Sequence, residues 1–454
     1  MTAQKLQKRL FGTNGVRGVA GKDMTPELVF SIGRALGQMR KGHIAVGRDT
    51  RTSGETLSKA LRAGLLAAGC DVDDCGILPT PALQFMVRDG YAGGAMITAS
   101  HNPPEYNGVK IIEPDGTEMG DEETVQLEER IFASGPSVVS WEQVGKETPV
   151  PHLLDRYIDG IIRLFPGFPG KGMTVVVDPG SGPACITTPK ILEALGCRVL
   201  TVNGVMDGTF PGRLPEPSVE GLKNLADLVV SSGAAFGVAH DGDADRAVFV
   251  DENGRFVEEN AEFAIVVQHI CRKKKGLIIT PVSSGQVVEE TARRGGSAVR
   301  YTPVGSIYVA RTMRTLLENG EPVIFGGEGN GGLIFPDHQF CRDGGMTAAM
   351  MVSILAGSKR PLSDLVSGLP ERHIIKDKIR ADKGAEILAG LPAQYPGTRI
   401  DLTDGVKIFT GDAWALVRAS GTEPIIRIII DAKSPSAGTA LYADLTSRLK
   451  TLTG

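Results

Sequence analysis

GGAMITAS, residues 93–100, and the stretch it runs into, ITASHNPPEYNGVK at 97–110, decide how this 454-residue chain is built. The first reads as a strand of the buried type, small and apolar without polar alternation. The second turns sharply: Ser100 and His101 stand just before two consecutive prolines, and Lys110 closes the segment. Proline fixes its own φ and restricts the residue before it, so the turn is stiff. A buried strand needs helices to cover it, and the flanking sequence supplies them.

HIAVGRD (43–49) reads as a strand entering a loop and GETLSKALRAGLLAAG (54–69) as an amphipathic helix closed by glycine. DEETVQLEERIFASG (121–135) is again helical. The cycle resumes with MTVVVDPGSG (173–182), TTPKILEALG (187–196) and CRVLTVNG (197–204), then with GLIITPVSSG (276–285) and QVVEETARRGG (286–296). Strands alternating with helices of this length indicate α/β units around mainly parallel sheets. GPSVVSWEQVGKETPVP (135–151) lacks periodicity and reads as a linker, DENGRFVEEN (251–260) contains a turn signal, and GSKRPLSDLVSGLPERH (357–373) precedes a change of pattern. Beyond it β runs dominate: GVKIFTGD, AWALVRAS and PIIRIIIDA. The expected organisation is three mixed α/β domains, 1–150, 151–254 and 255–368, and a smaller α+β domain, 369–454. No strict sequence repeat is visible.

Composition narrows the function. Hydrophobic residues make up 41% and charged residues 22%, as in a globular protein with sizeable cores. A net charge of −4 and an aromatic content of 5% argue against nucleic acid or a membrane surface as partner. No apolar run approaches the ~20 residues that span a bilayer, and the opening MTAQKLQKRLFGTNGVRG does not read as a signal peptide. The six cysteines are scattered, with no CxxC pair, and read as reduced thiols. A cytoplasmic protein is expected.

The densest chemistry lies in HDGDADRAVFVDENG, 240–254. Asp241, Asp243 and Asp245 alternate at the end of a strand-like run, so a bent loop can bring three carboxylates to one point. Three such groups repel and raise one another's pKa unless a cation sits between them. Hard oxygen donors without His or Cys select Mg²⁺, Ca²⁺ or Mn²⁺. Glu252 falls at the twelfth position counted from Asp241, as in an EF-hand, but Arg246 holds the sixth position, where that loop needs glycine, and the flanks read as strands. A solvated acidic turn is the plain alternative; the apolar flanks weigh against it.

Such a site leaves a six-coordinate cation short of ligands, and the missing one is typically a phosphate oxygen. Ser100, if phosphorylated, carries about −1.5 to −2 charge and supplies it. Arg246 and Lys110 add positive charge for a transferring group. On its own segment Ser100 reads equally well as a helix N-cap or turn serine. In VRASGTEPIIRIII (417–430), Arg418 and Arg427 flank Ser420-Gly421-Thr422, which makes either a phosphate cradle or an ordinary turn with Arg427 paired to Glu423. In FGGEGNGGLIF (325–335), Glu328 and Asn330 project from a glycine-rich turn that suits vicinal sugar hydroxyls or is a plain hairpin. Arg17 in FGTNGVRG and Arg48 and Arg51 in VGRDTRTSG are anion contacts or surface ion pairs.

Together these motifs resemble the α-D-phosphohexomutase superfamily, end to end and in family order: FGTNGVRG, TASHNPPEYNGVK, DGDADR, GGEGNGG and RASGTEP. The resemblance implies three similar α/β domains and a C-terminal α+β domain around a central active-site cleft. It implies that Ser100 is a phosphoserine, with Asp241, Asp243 and Asp245 as the other Mg²⁺ ligands. Lys110 and Arg17 match positions for acid/base help and transition-state charge, and Arg246 a residue near the transferring group. Glu328 and Asn330 match sugar-hydroxyl readers. Arg418, Ser420, Gly421, Thr422 and Arg427 match the phosphate-binding loop. The implied reaction interconverts a hexose 6-phosphate and 1-phosphate through a bound 1,6-bisphosphate, which also serves as activator. His101 is then structural rather than a general base. Many members read GE-x-S-G-H at the sugar loop, where this chain has Asn330 and Gly332. That departure resembles archaeal-type members, and FGTNGVRG with TPVGSIYVA (302–310) leans towards their glucosamine branch. A phosphatase-like hydrolase using the same serine and metal, and a non-catalytic sugar-phosphate sensor, are the rivals from other classes.

Overall fold

The computed structural model describes residues 8–133, 138–150, 153–419 and 424–453. The chain divides into two compact units, one made of the residues up to Glu258 with Asn330–Leu365, the other of Glu259–Gly329 with the residues from Val366 on.

The first unit holds two mixed sheets of one design. In the first, the strands run in the order Val16–Val19, Tyr106–Ile112, Gly93–Ile97, His43–Arg48, Asp71–Ile77 and Glu147–Pro149. The three strands from Gly93–Ile97 to Asp71–Ile77 are parallel, and Tyr106–Ile112 returns antiparallel beside Gly93–Ile97. Every residue of Gly93–Ile97 is buried, as its unbroken apolar run requires. The covering helices follow the sequence signals. Pro26–Arg40 starts on Thr25, whose side chain accepts from the Leu28 N–H, with proline in its first turn and Arg40 in its last. It packs on Gly54–Ala67 almost backbone to backbone: a Cβ on Gly33 would sit 2.1 Å from the Leu61 carbonyl, and one on Gly64 2.2 Å from that of Phe30. The stretch 135–151 is more than a linker. Glu147–Pro149 is exposed throughout, hence without alternation, yet it pairs in parallel at the sheet edge with Val72–Asp74.

The second sheet has the order Phe256–Val257, Ala247–Asp251, Phe236–His240, Thr174–Asp178 and Arg198–Thr201. Again the last three are parallel and Ala247–Asp251 returns antiparallel beside the first of them. The Ser100 loop and the triple-aspartate loop therefore occupy the same hairpin of two similar sheets. Helix Gly344–Ser358 completes the unit; apolar nearly all round, it is largely buried.

In the second unit Leu277–Pro281 pairs in parallel with Ala298–Thr302 on one side and Val323–Glu328 on the other. The C-terminal sheet is antiparallel throughout, ordered His373–Arg380, Ile425–Ala432, Ala413–Ala419, Val406–Thr410, Ile400–Asp401. It is fastened to the parallel strands by buried polar contacts: Lys407 donates to the Val282 carbonyl (2.7 Å) over the Trp414 ring, and Asp431 accepts from the Gln286 N–H (2.6 Å). Among the described residues no helix is long and apolar enough to cross a membrane, and all six cysteines are free thiols.

Candidate active site

Strand Gly93–Ile97 delivers Ser100 into the fold's interior, 1% exposed, with φ of 52° in the left-handed region that a non-glycine residue seldom adopts. Its Oγ donates to Asp241 Oδ2 at 2.9 Å. His101 Nδ1 lies 3.5 Å from that oxygen, too far for a well-formed bond. Burial, reinforced by Arg246, brings its imidazole down to about 4. So weak a base is neutral at pH 7 and ill matched to general-base work.

The second hairpin brings its three aspartates together as the spacing predicts. Asp241, Asp243 and Asp245 are all buried and offer oxygens within 4.8 Å of one another. The two loops meet so closely that a Cβ on Gly242 would lie 2.3 Å from the Ser100 carbonyl oxygen. Thr80 adds a second tie, its N–H donating to the Asp243 carbonyl (3.0 Å) and its hydroxyl to Asp243 Oδ2 (2.6 Å).

Three cations face the three carboxylates. Lys110, opposite Met96 in the hairpin, reaches Asp243 Oδ2 at 2.7 Å and Asp245 Oδ2 at 3.1 Å. Arg246 Nε donates to Asp241 Oδ2 (3.0 Å) while its two terminal nitrogens grip Glu216 (3.1 and 2.9 Å). Arg342 donates to Asp245 Oδ2 at 2.6 Å. Burial opposes the charge of Lys110, but Asp243 and Asp245 prevail and hold the ammonium above its ordinary range. Burial likewise disfavours the Asp245 anion, and Arg342, Lys110 and Arg246 overcome it, holding that carboxyl well below the usual range. Arg17, on the edge strand, donates to Asn102 Oδ1 (3.0 Å) in the serine loop.

The residues fit a hard cation. Oδ1 of Asp243 and Oδ1 of Asp245 are buried without a hydrogen-bond partner among the described residues. Leaving such an acceptor unmatched costs about 1–3 kcal/mol, and an all-oxygen set of this kind is what a divalent ion of the Mg²⁺ type takes. Burial, eased by Arg246, pushes the Asp241 carboxyl up to about 7 in the metal-free protein. A raised folded-state value makes stability fall as pH climbs from the unfolded value towards 7, because the native state holds the proton longer. A cation binds the ionised form, so its stabilisation should grow over the same window. The expected result is a larger rise in Tm on adding a divalent cation at about pH 8 than at about pH 5.5, with a proton released on binding near pH 6. Calorimetry in buffers of different ionisation enthalpy checks it; an affinity independent of pH would remove Asp241 from the ligand set.

The remaining candidates stand on other elements of the chain. Glu328 is buried at the end of strand Val323–Glu328 in the second unit, whereas Asn330 belongs to the first, its Oδ1 accepting from the Gly332 N–H (3.1 Å). Arg418 and Arg427 stand directly opposite in adjacent antiparallel strands, and Lys378 is opposite Arg427 on its other side. Like charges so paired destabilise a sheet unless a counter-charge offsets them. Asp404 accepts from Arg418 at 2.7 Å. Ser420, Gly421 and Thr422 lie outside the described residues.

Sequence reasoning missed Arg342, Thr80 and Glu216, because their partners are distant in the chain. The paired readings of the arginines also resolve. Arg48 lies 4.0 Å from exposed Glu55, a surface ion pair. Arg51 is neither an anion contact nor a surface pair: it is 1% exposed, its guanidinium wrapped in backbone carbonyls.

Residues 8–136, 155–254, 258–373 and 376–447 match, in order, the family models for phosphoglucomutase/phosphomannomutase α/β/α domains I, II and III and the C-terminal domain. A phosphoglucomutase/phosphomannomutase of Thermococcus kodakarensis is 46% identical over 440 residues, spanning 94% of this chain and 95% of its own. A probable phosphoglucosamine mutase of Methanopyrus kandleri is 39% identical over 456 residues, spanning 97% and 98%. The crystal structure of a phosphoglucomutase/phosphomannomutase family protein from Burkholderia thailandensis superposes with a TM-score of 0.85 at 27% identity, covering 98% of this chain and 97% of that one. The chain belongs to the phosphoglucomutase/phosphomannomutase family, within the α-D-phosphohexomutases. It is accordingly an isomerase, a phosphohexomutase.

Proposed function

We propose that the chain interconverts glucosamine 6-phosphate and glucosamine 1-phosphate, with Ser100 carrying the phosphoryl group between the two positions. The observation that carries this reading is the Ser100 hydroxyl held 2.9 Å from one of three buried carboxylates that are themselves faced by three cations. Asp241, Asp243, Asp245 and the phosphorylated Ser100 would hold Mg²⁺, which when bound supplies electrophilic activation of the phosphoryl oxygens.

The chain's own residues do the rest. In the first half-reaction the free sugar hydroxyl attacks the phosphorus, the Ser100 Oγ–P bond breaks, and the hydroxyl proton is returned to Oγ. The sugar 1,6-bisphosphate then turns over, Ser100 Oγ attacks the other phosphoryl group, and its proton passes to the sugar oxygen released. Lys110, held charged by Asp243 and Asp245, stabilises the developing negative charge and donates protons rather than taking them. Arg17 and Arg246 contribute further positive charge. Arg418 and Arg427, with Ser420, Gly421 and Thr422, bind the phosphate that is not reacting, while Glu328 and Asn330 read the sugar hydroxyls. A sugar 1,6-bisphosphate activates by phosphorylating Ser100 at the start. We assign the four domains to 1–150, 151–254, 255–368 and 369–454, and place the enzyme in the cytoplasm with neither nucleic acid nor membrane as partner.

The similarity to the Thermococcus protein favours a second reading, a phosphoglucomutase/phosphomannomutase of the same mechanism. Turnover with Mg²⁺ and a trace of bisphosphate, compared for glucosamine, mannose and glucose phosphates at equal concentration, separates the two. The expected result is a kcat/KM for glucosamine phosphate about tenfold or more above the others, the scale of the net contribution of one hydrogen bond at carbon 2. Equal values would replace the first reading by the second, and no turnover of any sugar phosphate would overturn both.

A further inference from the structure

The backbone of Ser100 is held at both ends by a single buried ion pair. Arg51 uses all five of its N–H groups: Nε on Asp49 Oδ2 (3.1 Å), Nη1 on the carbonyls of Pro103 (2.6 Å) and Tyr106 (2.9 Å), and Nη2 on those of Ser100 (2.8 Å) and Asn102 (2.6 Å). Asp49 in turn accepts from the Thr98 hydroxyl (2.6 Å), which accepts from the Ser100 N–H (2.8 Å). One arm thus takes the Ser100 carbonyl and the other its N–H. The pair also touches the loop that follows strand Arg198–Thr201 of the second sheet, since Arg51 bridges to Gly208 and lies 5.4 Å from the Phe210 ring. With every donor spent and no exposed edge, this guanidinium has nothing left for a phosphate.

We infer that Arg51 and Asp49 are positioning residues for phosphoryl transfer: they hold Ser100 in the left-handed conformation that aims its Oγ at Asp241. The inference rests on Ser100 being the phosphoryl carrier. Lysine cannot replace the fork, because three donors on one nitrogen cannot span a carboxylate and four carbonyls.

The test compares the full chain with Arg51→Lys and with Thr98→Val, which cuts only the link to the Ser100 N–H. Three quantities are read: amide exchange of residues 98–106 without ligand, kcat and KM for the preferred hexose phosphate, and the rate at which glucose 1,6-bisphosphate phosphorylates Ser100, by intact mass. In Arg51→Lys, kcat should fall about 100-fold with KM within about threefold, the cost of a misplaced reacting group. Phosphorylation of Ser100 should slow in parallel, and exchange should rise in 98–106 alone. Thr98→Val should lose about tenfold in kcat for the same reason. A kcat within threefold of wild type in both variants overturns the inference. If Arg51→Lys does not fold, Thr98→Val decides alone. A wild-type protein that turns over no hexose phosphate defeats the functional reading instead, and loop exchange then decides the positioning claim.

Discussion

Ser100→Ala is expected to leave a folded protein whose mutase turnover has dropped by about 10⁴-fold or more, the scale on which loss of a covalent nucleophile acts. The fold should survive because the side chain contributes one hydrogen bond, to Asp241, whereas the loop is held through backbone groups that alanine retains. The chemistry should not, because among the described residues the other hydroxyl that donates to the carboxylate cluster, Thr80, is committed to Asp243. Steady-state turnover beside a thermal melt measures both halves, and intact mass shows whether bisphosphate still phosphorylates the protein. A variant keeping more than about one hundredth of wild-type activity would sink the phosphoserine mechanism.

Asp243→Asn should be nearly as damaging by a different route. Asp243 Oδ2 accepts from Lys110 and Thr80, and its Oδ1 has no hydrogen-bond partner among the described residues. Lys110 is held between Asp243 and Asp245. Neutralising Asp243 removes one of its two counter-charges before any metal arrives and a charged ligand when it does. Divalent-cation affinity should weaken about 100-fold, close to 2.7 kcal/mol. The rate at saturating sugar phosphate should fall about 10³-fold, since phosphoryl transfer draws most of its acceleration from positioning and electrophilic stabilisation. Titration calorimetry and the metal dependence of kcat check the two parts. An unchanged metal dependence would take Asp243 out of the site.

Much of the fold could be read from the sequence because its strands are short, apolar and bounded by glycine. HIAVGRD became His43–Arg48, MTVVVDPGSG became Thr174–Asp178, and QVVEETARRGG became Gln286–Arg294. The helix expected over 54–69 stops at Ala67, with Gly69 just beyond it at a φ of 84°. Edge strand Glu147–Pro149 was hidden because a strand exposed on both faces has no period to detect. In the site, residue type and spacing found the aspartates, since a cation's needs are written in local chemistry. They could not find Arg342, which is 97 positions from Asp245 and beside it only through tertiary folding. Arg51 was misjudged for a related reason: an arginine in a polar stretch looks exposed, and only the path of residues 100–106 around it shows that it is interior.

The matching hairpins of the first unit have a bearing on how such a protein can change. TASHNPPEY and DGDADR share no pattern, so one frame carries two different chemistries at the same hairpin. Yet these two are stitched together, by Ser100 on Asp241, Thr80 on Asp243 and the absence of a side chain at Gly242. An amino-acid exchange in one must be answered in the other, and the nucleophile and its acidic partners should pass between descendants as a linked pair.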